Sequence, residues 1–205
     1  GRGGKGVKAM ATREEDYVET VFTASTHDSI LFFTNLGKVY VRKGYRIPEA
    51  GRSARGQNIV NIIPTDPGEK VSAMIAGRGI AEDNYLVFVT RDGTVKRTAQ
   101  SAFKNIRSNG IRALSLDEGD ELITVLQTGG EDKILLATHD GMAICFNETD
   151  ARAMGRDAVG VRGIRLREGD FVVGAGIAAE GSAILSITEN GYGKRTDVGE
   201  YSVQN

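Results

Sequence analysis

The chain opens on Gly1-Arg2-Gly3-Gly4-Lys5-Gly6. Glycines interleaved with cations can hold a phosphate: a backbone without Cβ atoms comes close to an anion and its N–H groups donate to it, while Arg2 and Lys5 add charge. The same chemistry recurs further on. Between Lys38 and Gly56 stand Lys38, Arg42, Lys43, Arg46, Arg52 and Arg55 against Glu49 alone, a net +5. Between Thr94 and Arg112 stand Lys96, Arg97, Lys104, Arg107 and Arg112 with no acid, again +5. A third stretch sets Arg152, Arg156, Arg162 and Arg165 against Glu148, Asp150 and Asp157, a net +1. Acids gather elsewhere, at Glu14-Glu15-Asp16, at Asp66 with Glu69, and at Asp117-Glu118-Gly119-Asp120-Glu121. The total, 26 Lys+Arg against 27 Asp+Glu, gives a net charge of −1, which by itself argues against a nucleic-acid partner. Sorted along the chain, the same charges describe basic segments that can track phosphates.

Other chemistries fit less well. Gly1-x-Gly3-x-x-Gly6 has the letters of a dinucleotide fingerprint, but that motif needs a strand before it and a helix after it. Val7 stands where a P-loop needs Lys-Ser/Thr, and a single Arg2-Gly3-Gly4 is not an RGG array. His139 and Cys145 fall on one predicted hairpin, yet read as a turn residue and a small buried residue rather than a base and a nucleophile. Cys145 is the only cysteine, which excludes an internal disulfide and a cysteine-based zinc site. With His27 and His139 the only histidines, no metal cluster of familiar spacing is expected. The acidic turns lack the ligand spacing of a calcium loop. No catalytic residue, cofactor or metal is therefore expected. No apolar run reaches the roughly 20 residues of a membrane span, and the N-terminus does not read as a signal peptide. A cytoplasmic, nucleoid-associated setting with no membrane contact is expected.

The elements that must position these charges are strands. Four segments share one pattern, an apolar run ending in Thr, two residues, then Gly: Ile30–Thr34 to Gly37, Tyr85–Thr90 to Gly93, Ile134–Thr138 to Gly141 and Ala183–Thr188 to Gly191. The marker glycines recur at roughly 50 residues, the period of propeller-like arrays. Asp92-Gly93, Asp140-Gly141 and Asn190-Gly191 predict two-residue type I′ hairpins, with Leu36-Gly37 a weaker version. Each first strand is apolar almost throughout and should be buried on both faces. The strand after the turn alternates, so Val39 and Val41 should point one way and Lys38, Tyr40 and Arg42 the other, as on an outer, half-exposed strand. A second hairpin follows each connector, for example Ile111–Leu116 and Leu122–Leu126 around Asp117-Glu118-Gly119-Asp120. The acids at those turn tips should be solvated. The best helical candidate, Thr98–Ile106, is two turns at most. The 27 glycines, against 3 prolines, are largely hairpin turns. The expectation is an all-β array of about four four-stranded blades: residues 1–25, then units of about 28–77, 84–128 and 132–178, and a partial unit 182–205. With a broken unit at each end, the chain reads as a fragment of a longer domain.

These features together resemble the C-terminal DNA-wrapping domain of bacterial DNA gyrase A. The resemblance rests on Arg2-Gly3-Gly4-Lys5-Gly6 at the head of an all-β array and on Ala11-Thr12-Arg13-Glu14-Glu15-Asp16. It extends to Leu31-Phe32-Phe33-Thr34-Asn35, Pro48-Glu49-Ala50, Ala54-Arg55-Gly56, Gly191-Tyr192-Gly193-Lys194-Arg195-Thr196 and Glu200-Tyr201. It implies a β-pinwheel whose blades exchange strands, wrapping DNA around its rim with a positive crossing so that strand passage gives negative supercoils. It also implies a non-catalytic part of an ATP-dependent type II topoisomerase, associated with the rest of gyrase A and with gyrase B. The family box commonly begins with Gln and a further basic residue, whereas here Gly1 precedes Arg2.

On this reading double-stranded DNA is held largely without regard to sequence. Its expected contacts are Arg2, Gly3, Gly4, Lys5 and Gly6 in the box, then Lys38, Arg42, Lys43, Arg46, Arg52, Arg55, Lys96, Arg97, Lys104, Arg107 and Arg112. The alternatives are the corresponding domain of topoisomerase IV, a protein-binding β-propeller, and a sugar-binding array, which the absence of Trp disfavours.

Overall fold

A computed structural model describes residues 29–43, 63–77, 84–104, 106, 110–179, 182–189 and 192–197. The strands are β1 (Ser29–Thr34), β2 (Lys38–Lys43), β3 (Val71–Gly77), β4 (Tyr85–Thr90), β5 (Thr94–Ala99), β6 (Ile111–Arg112) and β7 (Leu122–Thr128). They continue with β8 (Lys133–Thr138), β9 (Ala143–Asn147), β10 (Val161–Arg162), β11 (Val172–Ala179), β12 (Ser182–Glu189) and β13 (Tyr192–Asp197). Three antiparallel sheets result, in the orders β3-β1-β2-β6, β7-β4-β5-β10 and β9-β8-β11-β12-β13.

The apolar first strands sit where their composition puts them. In β4, Leu86 and Phe88 enter a core shared with Leu31, Phe33 and Leu114, while the alternate residues Val87 and Val89 enter a second core with Ile134, Leu136 and Ile164. A strand sandwiched in this way needs apolar side chains on both faces. Phe33 meets Phe88 and Phe103 edge-on, with ring centroids 5.3 and 5.7 Å apart, which locks the first sheet to the second. Strand β7 lies against both β3 and β11; β3 and β7 end their sheets, while β11 is the middle strand of the third.

The two predicted second hairpins whose arms are both described, around residues 117–120 and 167–170, form their turns but not their ladders, while residues 7–22 and most of residues 59–63 lie outside the described residues. Asp120 N–H closes onto Asp117 C=O at 3.0 Å, as expected of the turn. Its two arms then part company. Leu122–Thr128 returns to its own unit and pairs with β4, whereas Ile111–Arg112 crosses back to the preceding sheet and pairs with β2 through Val39↔Ile111 and Lys38↔Arg112. Likewise Val161–Arg162 pairs with β5. The exchange gives the outer edges of β2 and β5 a partner, as sheet edges require. This is the β-pinwheel arrangement. The fourth hairpin, β12–β13, continues the third sheet along β11 instead of opening a sheet of its own.

Two local expectations change. The β4–β5 loop is closed by Gly93 N–H to Thr90 C=O at 3.1 Å, so Arg91 and Asp92 are its central residues and Gly93 follows them at φ +91°. It is a three-residue hairpin loop, which asks for positive φ only at its last position and so accommodates Leu36 in the equivalent place. Gly37 and Gly141 close the same loop onto Thr34 and Thr138; Asn190 and Gly191 lie outside the described residues. Gly93 has a second constraint: a Cβ there would stand 2.9 Å from Ile164 Cγ2, and its carbonyl accepts from Gly163 N–H at 2.7 Å, so the exchanged segment lies directly on it. The helical candidate shrinks to one 3-10 turn, Gln100–Phe103.

The turn acids also differ from expectation. One in each of the three described turns is buried, Glu69, Asp120 and Asp170, while Glu14, Glu15 and Asp16 lie outside the described residues. Glu69 accepts from Thr34 Oγ1 at 2.7 Å and from Asp66 N–H at 2.9 Å. Asp120 Oδ1 accepts from the N–H groups of Asp92 and Glu121 at 2.9 and 2.8 Å, and Asp170 Oδ1 from those of Asp140 and Phe171 at 3.0 and 2.8 Å. These carboxylates satisfy loop N–H groups that the ladders leave over. The remaining acids, Asp66, Asp117, Glu118, Glu121 and Glu168, are exposed as expected.

Candidate nucleic-acid interface

The outermost described strands of the first two sheets are the exchanged strands β6 and β10, and each ends in an exposed arginine, Arg112 and Arg162. They reach the same place by the same route. In Gly110-Ile111-Arg112 and Gly160-Val161-Arg162 the glycine takes positive φ, 87° and 116°, where the chain folds against the preceding unit. A Cβ on Gly110 would strike the Tyr40 ring, and one on Gly160 the Val95 carbonyl. The two cations thus occupy equivalent outermost positions on neighbouring sheets. Arg162 is absent from the expected contacts, because its connector is nearly neutral; the Gly-x-Arg repeat is the signal that finds it.

The other expected contacts divide. Lys38 stands opposite Arg112 in the ladder and is 42% exposed; its ammonium lies 3.2 Å from Asp66 Oδ2, and that bond holds its pKa above the usual value. Lys43 and Lys104 are exposed, with Lys43 Nζ 3.5 Å from Ser29 Oγ. Arg42 is half-buried and donates to Val41 C=O at 2.7 Å. Arg2, Gly3, Gly4, Lys5, Gly6, Arg46, Arg52, Arg55 and Arg107 lie outside the described residues.

Lys96 and Arg97 point inward, contrary to their expected place on the rim. Lys96 is 1% exposed, with its ammonium over the Phe88 ring, 5.2 Å from the centroid. It donates to the carbonyls of Ala113, Gly155 and Arg156 at 2.6, 2.9 and 3.0 Å. Burial lowers its pKa to about 8. Arg97 lies on the Tyr85 ring, donates through Nε to Ala151 C=O at 2.8 Å, and sits 3.5 Å from the fully buried Glu148. Glu148 in turn accepts from Thr128 Oγ1 and from the N–H groups of Gly130 and Asp132, at 2.8, 3.1 and 2.7 Å. The alternation rule fails here because β5 is roofed by the connectors of two units, so both of its faces are interior. Tyr40 in β2 is buried for the same reason.

The acidic turns do not lie at an end opposite the arginines, since Asp66 reaches Lys38 beside Arg112, and one of these turns carries an arrangement the sequence did not foretell. His139, Asp140 and Asp170 bring their ligand atoms within 4.8 Å of one another, across a turn and thirty residues of chain. His139 Nδ1 is 3.1 Å from Asp140 Oδ1, and its ring stacks on Phe171. Asp170 does here what Asp120 does for Asp92 and Glu121, so the turn accounts for its presence. Cys145 is fully buried, and burial pushes its thiol pKa up.

The family described as DNA gyrase C-terminal domain, beta-propeller, matches residues 1–25, 28–77, 84–128, 132–179 and 183–205. The chain belongs to that family. Its relatives include DNA gyrase A of Staphylococcus aureus strain NCTC 8325, 50% identical over 207 residues, which cover 100% of this chain and 23% of the relative. This gyrase C-terminal domain thus spans about a quarter of the length of such relatives. Among solved structures it resembles the C-terminal domain of DNA topoisomerase IV, with a TM-score of 0.72 and 26% identity over 86% of this chain and 64% of the other. It also resembles the DNA gyrase A C-terminal domain, with a TM-score of 0.66 and 28% identity over 85% and 56%.

Proposed function

We propose that this gyrase C-terminal domain is a non-catalytic module that binds double-stranded DNA and bends it around the pinwheel rim. As part of an ATP-dependent type II topoisomerase, together with the rest of gyrase A and with gyrase B, it directs strand passage toward negative supercoiling. The observation that carries the reading is the pair Arg112 and Arg162, exposed at equivalent outermost positions of adjacent sheets. Phosphates are the natural partners of such a row, since they recur along a bent duplex whatever its sequence. No element among the described residues has the form of a recognition helix, so base-edge readout is not part of the proposal. Sequences that bend easily are favoured.

The contact set is Arg112 and Arg162, with Lys38, Lys43, Arg42 and Lys104 around them. The box residues Arg2, Gly3, Gly4, Lys5 and Gly6 and the connector residues Arg46, Arg52, Arg55 and Arg107 are retained on the strength of the family resemblance. Lys96 and Arg97 are withdrawn, because their charges are spent on carbonyls and Glu148. A topoisomerase IV role is supported by the fold likeness, but the 50% identity to gyrase A over the whole chain weighs more. The test is a DNA-binding titration against salt. Each phosphate neutralised adds about −0.9 to the log–log slope, so Arg112→Ala with Arg162→Ala flattens it by about two. A slope unmoved by the double substitution removes these arginines from the interface.

A further inference from the structure

The buried ammonium of Lys96 stands where the two rim strands originate. Its first acceptor, Ala113 C=O, belongs to the residue directly after Arg112, on the segment that exchanges into the first sheet. Its other acceptors, Gly155 and Arg156 C=O, lie on the segment leading to Arg162, which exchanges into the second sheet. The same two segments meet again beside it. Ser115 N–H donates to Ala158 C=O at 3.1 Å and Ser115 Oγ to Asp157 C=O at 2.7 Å. Gly160 lies against the Val95 carbonyl and close to Lys96 Cβ, so the segment carrying Arg162 rests on β5 where Lys96 stands.

This joint is particular to the middle unit. The ladders Phe32↔Tyr40, Phe88↔Lys96 and Leu136↔Ile144 place Tyr40 and Ile144 at the equivalent positions. Tyr40 sends its hydroxyl to Glu69, and Ile144 has no polar group to offer. A three-donor ammonium can tie three carbonyls at once, which neither of these can do.

Resting on the DNA-wrapping reading above, we propose that Lys96 is a positioning residue of the rim: by clamping the segment after Arg112 to the segment before Arg162, it fixes the spacing of two successive phosphate contacts and hence the path of the bent duplex at that joint. Lys96 touches no DNA. Its removal should change how DNA is bent without changing how many phosphates are held.

The experiment separates those two quantities. The full chain and its Lys96→Met variant are compared by the salt slope of DNA binding and by the linking-number shift trapped when nicked plasmid is ligated with protein bound. The expected result is a slope equal to wild type and a linking-number shift per bound protein reduced by at least about half. Ser115→Ala removes only the neighbouring Oγ bond and should give a smaller reduction in the same direction, a readout that survives if the Lys96 variant does not fold. An unchanged shift in both variants overturns the inference, and so does a slope that flattens with Lys96→Met, since Lys96 would then act as a phosphate contact. Wild type that neither binds nor shifts linking number would defeat the DNA reading itself, a failure distinct from that of the clamp.

Discussion

Lys96 makes a prediction about stability that requires no DNA. Its ammonium is 1% exposed and its pKa is lowered from 10.5 to about 8, with burial the leading cause. In the unfolded chain the group keeps its proton up to about 10.4. Between pH 8 and the unfolded value the unfolded state therefore binds more protons than the folded one, so stability rises with pH across that window and is flat with respect to this group below it. At about 1.4 kcal/mol per pH unit, the separation corresponds to a gain of about 3 kcal/mol. The neutral amine still has two N–H donors for the carbonyls of Ala113, Gly155 and Arg156, so the clamp loosens without vanishing. The assay is urea denaturation of wild type and Lys96→Met at intervals from pH 7 to pH 10.5. Tyrosines and other lysines titrate in both proteins, and the difference between the two curves isolates Lys96. At pH 7 the variant should be less stable, because buried carbonyls such as that of Ala113 lose their donor, at about 1–3 kcal/mol each when left unsatisfied. The gap should then widen as pH rises. A gap independent of pH would refute the claim that this lysine is held in a site that resists its charge.

Glu148 is a sharper stability test: with four partners and no exposure, Glu148→Ala should cost about 3–5 kcal/mol, read as a fall in melting temperature, because it strands Arg97 and the N–H groups of Gly130 and Asp132. Gly160→Ala should destabilise by more than about 1 kcal/mol in the same assay, since alanine must adopt φ 116° and place its Cβ against the Val95 carbonyl. Gly119→Ala, also at positive φ but with open space around it, should cost less than Gly160→Ala. Cys145, buried with its thiol pKa pushed up, should react with a thiol reagent only at the rate of unfolding; rapid labelling of the native protein would contradict its placement.

The repeat is readable because each unit must bury one strand on both faces and then reverse direction, and both demands leave marks. Ile30–Thr34, Tyr85–Thr90 and Ile134–Thr138 are apolar runs closed by Thr, two residues and Gly, and they form β1, β4 and β8. The exchange of strands is implied by family likeness rather than by any local pattern, since Ile111-Arg112 finds its partner in Lys38-Val39, over seventy residues earlier. That long-range pairing is also why alternation misplaces Lys96 and Arg97. An alternating strand has one solvated face only if nothing lies over it, and what lies over β5 arrives from Ala113 and from Ala151–Arg156. Charge counting has the same blind spot: a net +5 does not distinguish Arg112, exposed at the rim, from Lys96, spent in the core. Nor can it credit the nearly neutral third connector with Arg162.

The proposal on which the rest depends is that DNA is bent around the rim, with the positive crossing that the family resemblance implies. It is tested most directly by ligating nicked plasmid in the presence of increasing amounts of this chain, then removing the protein and resolving the topoisomers. The account predicts a linking number that rises with bound protein, an effect that disappears at high salt as phosphate contacts are screened. A distribution that stays centred on that of protein-free plasmid while DNA is demonstrably bound would contradict it.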